Sequence, residues 1–259
     1  MHNILSIIID SKKKKIEVLK KNREAIASLA KNAPGPLSFK DAIRKEGKIS
    51  IIGEIKQASP STGILRKEFS YMDIAKTYDK LKIDALSIVT EEQFFLGKLN
   101  FIEEVKKIVT MPVLCKDFIL DEVQILEARA VGSDAVLLIM GILSEEQFQR
   151  LYYFTKEMGM DALIEVHTEK ELRKVLKAGV DIVGINNRNL HTLKVDLNKT
   201  EKLIPFVPSD VVKVSESGIS SRKDVLLLKG MGVDAILVGK AIMEAPDIEE
   251  KIKELNIDA

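Results

Sequence analysis

The stretch GVDAILVGK, residues 232–240, has three counterparts upstream: KIDALSIVT at 82–90, GSDAVLLIM at 132–140 and GVDIVGINN at 179–187. Each places an aspartate (Asp84, Asp134, Asp181, Asp234) before an apolar run, and the aspartates recur at intervals of 50, 47 and 53 residues. Short continuous apolar runs rich in Val, Ile and Leu read as strands buried on both faces, as in a parallel sheet. Between them lie four more runs: IIGEIK at 51–56, PVLCKDF at 112–118, DALIEV at 161–166 and VVKVSES at 211–217. Interleaving the two sets gives eight strands, each followed by a helix-like segment, at roughly 25 residues per unit. This alternation predicts an α/β fold, a closed (βα)8 TIM barrel over residues 48–259. An open doubly wound sheet is the rival. Its glycine-rich first turn is absent, since GEIKQASPSTG at 53–63 is not G-x-G-x-x-G, and no unit reads as an edge strand.

Helices are expected over 71–81, 100–109 and 121–130 from apolar spacing. Ser144 with Gln147, and Thr168 with Glu171, form capping-box patterns opening helices over 144–158 and 168–177. Ser220 or Ser221 caps a helix that runs to Lys229, and 247–255 closes the chain. Gly179 and Gly230 read as stop signals. Residues 1–47 form an amphipathic helical extension (Ile4, Leu5, Ile8, Ile16, Leu19, Ile26, Leu29) that packs on the barrel without being a separate domain. The run Lys12–Lys15, followed by Glu17 and Glu24, reads as a solvated face.

The 259 residues carry 40 basic and 39 acidic side chains, a net charge of +1 with no nucleic-acid footprint. A single cysteine, Cys115, allows no intrachain disulfide and no cysteine-based zinc cage, and three histidines (His2, His167, His191) argue against a metal site. No apolar stretch approaches the ~20 residues of a membrane span, and MHNILSIIID has its lysines on the wrong side of the apolar stretch for a secretory signal. The chain therefore reads as a cytoplasmic protein.

Five charges interrupt the strand-like runs: Glu54, Lys56, Lys116, Glu165 and Glu216. A charge inside such a run is costly unless paired, hydrogen-bonded or wetted by a cavity. Glu54 and Lys56 are two apart and share a side of strand one. Lys116, Glu165 and Glu216 close strands three, five and seven, and alternate strands share interior layers at the carboxyl end of a barrel. The five charges should meet in one mouth, as a catalytic set or as an ion-pair plug. Asn186 ends strand six beside them. Ser217 and Gly218 after strand seven, and Gly239 and Lys240 after strand eight, lie where barrels hold phosphate on backbone N–H groups. Ser59, in the turn-rich loop 59–63, lies over the mouth. Phe94, Phe95 and Phe118 add apolar surface for a flat substrate part.

The ordered set IIGEIKQASPSTG, IVTEEQFFLGKL, PVLCKDFILD, ALIEVHT, GINNRNL, KVSESGI and ILVGKAIM resembles the indole-3-glycerol phosphate synthase family of tryptophan biosynthesis, over about 48–245. The resemblance implies ring closure, decarboxylation and dehydration of 1-(2-carboxyphenylamino)-1-deoxyribulose 5-phosphate, with no cofactor and no metal. It implies Lys116 as general acid, Glu165 as general base, Lys56 on the anthranilate carboxylate and Glu54 tuning the lysines. Asn186, Glu216, Ser59, Phe95, Phe118 and Arg188 would bind substrate, and Ser217, Gly218, Gly239 and Lys240 its phosphate. Gln57, Thr62, Cys115 and Lys240 depart from residues common in the family. The partner implied is a small phosphorylated molecule, not a nucleic acid or membrane. Association with other enzymes of the pathway has no signature in the sequence. Two other classes fit the residues: another phosphate-binding barrel enzyme (an isomerase or a Schiff-base aldolase), and a non-catalytic sensor of phosphorylated ligands.

Overall fold

The computed structural model describes residues 4–189 and 192–257. Eight parallel strands close into a barrel: β1 (Ser50–Ile55), β2 (Ala85–Val89), β3 (Val113–Lys116), β4 (Ala135–Ile139), β5 (Asp161–Val166), β6 (Ile182–Asn186), β7 (Val212–Glu216) and β8 (Ala235–Val238). Neighbours in sequence are neighbours in the barrel, and β8 returns to β1 with Ser50 opposite Ala235. The 59–63 loop is a small antiparallel ribbon, Ala58–Ser59 against Gly63–Ile64.

The repeated aspartates explain themselves here. Asp84 accepts the Ile51 N–H at 2.7 Å, Asp134 that of Val113 at 2.7 Å and Asp234 that of Lys213 at 2.7 Å. Each stands just before an even strand and takes a donor from the start of the preceding odd one, pinning the register between neighbours. Asp181 departs from this pattern, pairing instead with Lys40 at 2.7 Å and Lys156 at 3.2 Å.

The outer helices follow their local signals with three adjustments. Helix α7 (Glu145–Glu157) has the Ser144–Gln147 capping box. At α8 (Glu169–Lys177), Thr168 caps the N–H of Glu171, but the Glu171 carboxylate reaches the N–H of His167 at 2.7 Å and not that of Thr168. Helix α10 (Arg222–Gly230) is capped by Ser221 and runs through Gly230. The left-handed residue after it is Gly232, with φ +83°. Helix α5 (Asn100–Val105) stops four residues early, where the chain turns through β-branched Ile108 and Val109 toward Pro112.

The extension touches three sides of the barrel. Helix α1 (Ile4–Lys20) lies over the carboxyl end, where Ile4, Leu5 and Ile8 line the mouth. Helix α2 (Arg23–Asn32) packs against α6 (Glu122–Ala130). Helix α3 (Phe39–Ile43) plugs the opposite end: Phe39 and Ile43, both fully buried, join the interior cluster of Ile52, Leu114, Leu163 and Val212. The lysine run is not simply a solvated face. Lys12 is buried and bonds Asp117 at 2.7 Å, while Lys15 pairs with Glu92 at 3.0 Å. Leu29, expected on the buried stripe, is 63% exposed. No described helix is long and apolar enough to cross a membrane.

Candidate active site

The carboxyl end of the barrel opens into a cavity of about 540 Å³. All the catalytic, substrate and phosphate candidates named from the sequence line it. Phe94 is not among the lining residues, whereas Phe95 and Phe118 stand there with ring centroids 6.3 Å apart.

Lys116 is the hub. Its Nζ lies 3.3 Å from Glu216, 3.7 Å from Glu165 and 3.9 Å from Glu54. Burial alone would push the ammonium toward neutrality, but the three carboxylates outweigh it and raise its pKa above the usual lysine value. Glu54 also pairs closely with Lys56. Burial disfavours its charge, yet Lys56 and Lys116 together hold its pKa below the ordinary range.

Glu216 is the odd member. It is 1% exposed, and neither carboxylate oxygen meets hydrogen-bond geometry with any described residue. Burial, with Glu165 and Glu54 adding repulsion against the pull of Lys116, pushes its pKa up to about 7. Glu165 goes the other way. Burial opposes its charge, but the hydrogen bond from His167, the charge of Lys116 and a bond to Asn186 bring it down to about 2.

Two glycines make room for these carboxylates. A Cβ at Gly184 in β6 would overlap the Glu216 carboxylate, and one at Gly239 would overlap that of Glu54. Gly239 is thus required by a carboxylate, apart from any phosphate. Ser217 (φ +68°) and Gly218 (φ +84°) form a left-handed pair after β7. The Lys240 side chain, half exposed, pairs with Glu244 at 3.7 Å. Cys115 is buried and its thiol is pushed up to about 12 by desolvation, which leaves it inert as a nucleophile.

These features match a known family along nearly the whole chain. A family model described as indole-3-glycerol phosphate synthase matches residues 5–255. The chain belongs to the indole-3-glycerol phosphate synthase family. A relative of that name from Caldanaerobacter subterraneus is 48% identical over 97% of this chain and 96% of its own. Another, from a Thermoanaerobacter species, is 46% identical over the same shares. Among solved structures, 3-hexulose-6-phosphate synthase from Salmonella typhimurium superposes with TM-score 0.64 at 18% identity, over 80% of this chain and 96% of that one. KGPDC from Streptococcus mutans does so with TM-score 0.59 at 14% identity, over 80% and 95%. At such identity these two show the barrel alone. Indole-3-glycerol phosphate synthases are carboxy-lyases of tryptophan biosynthesis, and the isomerase, aldolase and sensor readings are not favoured.

Three polar residues behind the site, the partly buried His167 and the buried Asn187 and Glu91, escaped the sequence reading. His167 Nε2 lies 2.9 Å from Glu165 Oε1. The two are two apart in IEVH, the same spacing that placed Glu54 beside Lys56, so the signal was present. Asn187, 1% exposed, donates to the Ser215 hydroxyl at 3.0 Å and to the carbonyls of Glu216 at 3.0 Å and Ser217 at 3.1 Å, and accepts from the Thr200 hydroxyl at 2.9 Å. It fastens the left-handed turn to β6. Glu91, 2% exposed, accepts from the N–H groups of Gln93, Phe94 and Phe95 and so sets the loop that presents Phe95. His2 and His191 lie outside the described residues.

Proposed function

We propose that the chain catalyses the indole-3-glycerol phosphate synthase reaction on 1-(2-carboxyphenylamino)-1-deoxyribulose 5-phosphate, releasing carbon dioxide and water. The observation that carries this reading is the placement of Lys116, raised in pKa, among three buried carboxylates at the floor of a cavity with aromatic walls and a left-handed turn at its rim.

Lys116 stays an ammonium at neutral pH, so it donates a proton to the ribulose carbonyl as the new carbon–carbon bond forms, and it steadies the developing oxyanion. The same raised pKa disfavours a Schiff-base role, which needs a neutral amine. Carbon dioxide then leaves as the ring regains aromaticity. Glu165 acts as base in the dehydration and Lys56 binds the anthranilate carboxylate, sharing the acid work. Glu54 holds the lysines. Glu216, whose ion pair with Lys116 at 3.3 Å leaves acceptor capacity on both oxygens, is suited to accept from substrate hydroxyls. Asn186, Ser59, Arg188, Phe95 and Phe118 complete the substrate contacts. Phosphate would rest on the N–H groups about Ser217, Gly218, Gly239 and Lys240; the Lys240 side chain, turned to Glu244, contributes little.

Residues 1–47 and the barrel are proposed to act as one unit, since Lys12 bonds Asp117 beside Lys116 and Phe39 fills the barrel floor. The enzyme would act in the cytoplasm on this small phosphorylated substrate, with no nucleic-acid partner.

Purified protein given the carboxyphenylamino-ribulose phosphate should produce indole fluorescence, on a low background because the chain has no tryptophan. Lys116→Ala should lower kcat by roughly a thousandfold, within the range for a lost general acid. No product from the parent protein, or undiminished product from the variant, would sink the assignment.

A further inference from the structure

His167 stands behind Glu165, outside the lining of the cavity, and touches the chemistry only through that carboxylate. Charged groups from three elements act on its ring. Glu165 of β5 holds Nε2 at 2.9 Å. Glu171 of α8 binds the backbone N–H of His167 at 2.7 Å and adds negative charge. Lys199 of α9 (Asn198–Leu203) opposes them with a positive one. The short turn after β4 presents Gly141, with no ionisable group, to the ring edge. Nδ1 is buried and has no hydrogen-bond partner among the described residues. The imidazole is therefore anchored through Nε2 alone, and Nε2 faces a carboxylate that accepts only. Nε2 must carry hydrogen in this arrangement.

The charges around this contact give it more weight. The mouth holds three carboxylates (Glu54, Glu165, Glu216) against Lys56, Lys116 and Arg188, and Glu165 shares Lys116 with the other two. A buried carboxylate with only part of one counter-charge depends on its remaining hydrogen-bond donor.

We propose that His167 is a positioning residue for Glu165: its Nε2–H holds Oε1 of the carboxylate at 2.9 Å while Oε2 stands 3.7 Å from Lys116, and its ionisation sets how strongly Glu165 draws a proton. This rests on the general-base reading of Glu165. With the imidazolium present, Glu165 is a weak base. When His167 loses its charge, the neutral ring still donates from Nε2, so geometry is kept while basicity rises. Burial works against the imidazolium, but the bond to Glu165 and the charges of Glu165 and Glu171 outweigh it and raise the histidine pKa, so the imidazolium persists to higher pH than in a free histidine.

Two variants separate placement from charge. In His167→Ala the carboxylate loses its tether and is drawn toward Lys116; kcat should fall on the order of tenfold to a hundredfold with KM little changed, as expected for a misplaced catalytic group. His167→Asn keeps an N–H donor but no titration. It should recover much of kcat, and the rise of kcat with pH assigned to His167 should vanish from its profile. Equal losses in both variants, or a profile unchanged in His167→Asn, would overturn the proposal. Failure of the parent reading is told apart by an activity-free measurement: in Glu165→Gln the NMR titration midpoint of His167 should drop, because the raising charge and charge-assisted bond are gone. A midpoint that stays in place would refute the coupling whatever the enzyme catalyses.

Discussion

Asp134 at the amino end of the barrel and Glu216 at the carboxyl end are equally buried, each 1% exposed. Asp134 receives the N–H of Leu37 at 2.8 Å, the N–H of Val113 at 2.7 Å and the Lys106 ammonium at 2.7 Å. Glu216 receives no hydrogen bond of good geometry and shares one lysine with two other carboxylates. The same chemical group is saturated at one end and left wanting at the other. A saturated carboxylate fastens strands together. An unsaturated one holds its acceptor capacity in reserve for a ligand, and the desolvation it suffers meanwhile weakens the fold.

This contrast can be broken most sharply at the amino end. Asp134→Ala strands two backbone donors and an ammonium, so it should destabilise the protein by about 3 kcal/mol or more. Denaturant unfolding would show this, while kcat of the folded fraction stays within about twofold. A small stability loss would mean that the register aspartates are ornaments.

Glu216→Gln should act in the opposite sense, raising stability while lowering turnover. The Glu216 carboxyl is raised from its ordinary 4.5 to about 7. Between those values the folded protein holds a proton that the unfolded chain has released, so the stability this group supports at low pH is lost as pH rises through about 7. The gain from Glu216→Gln should therefore be small at pH 5 and on the order of 1–3 kcal/mol at pH 8. Melting temperatures at the two pH values would test it, and an equal gain at both would show that the buried charge is compensated after all.

The smallest effect is expected at Lys240, whose ion pair with Glu244 is exposed. Lys240→Ala should change inorganic-phosphate inhibition and stability very little, by less than about 1 kcal/mol. A large loss of phosphate affinity would return this lysine to the phosphate site.

Where sequence reading succeeded, the signal was local. The Ser144–Gln147 box closes within one helical turn, and the charges of 54, 116, 165 and 216 stand out because each interrupts a single apolar run. Where it failed, a distant partner intervened. Lys12 looks like one of four solvated lysines until Asp117, far along the chain, comes to meet it. Glu171 fits a capping box with Thr168, yet its carboxylate finds the N–H of His167. Gly239 suggests phosphate contact, and its hydrogen proves to be needed by Glu54 from across the β1–β8 seam. His167 is a different case: it continues the alternation that carries Glu165 but stands one residue beyond the end of β5, outside the apolar run that makes the other charges conspicuous.

The sequence by itself determined the count and order of the strands, the end of the barrel at which the charges gather and the caps of several helices. Each follows from periodicity or from contacts a few residues apart. Only the tertiary structure decided how those charges divide: Lys116 shared by three carboxylates, Glu165 tethered to His167, Glu216 left with Lys116 alone, and α1 pinned by Lys12 beside them. That division depends on closing the barrel, which sets carboxylates from β1, β5 and β7 within 3.9 Å of Lys116 on β3, where desolvation and Coulomb energy outweigh any local preference.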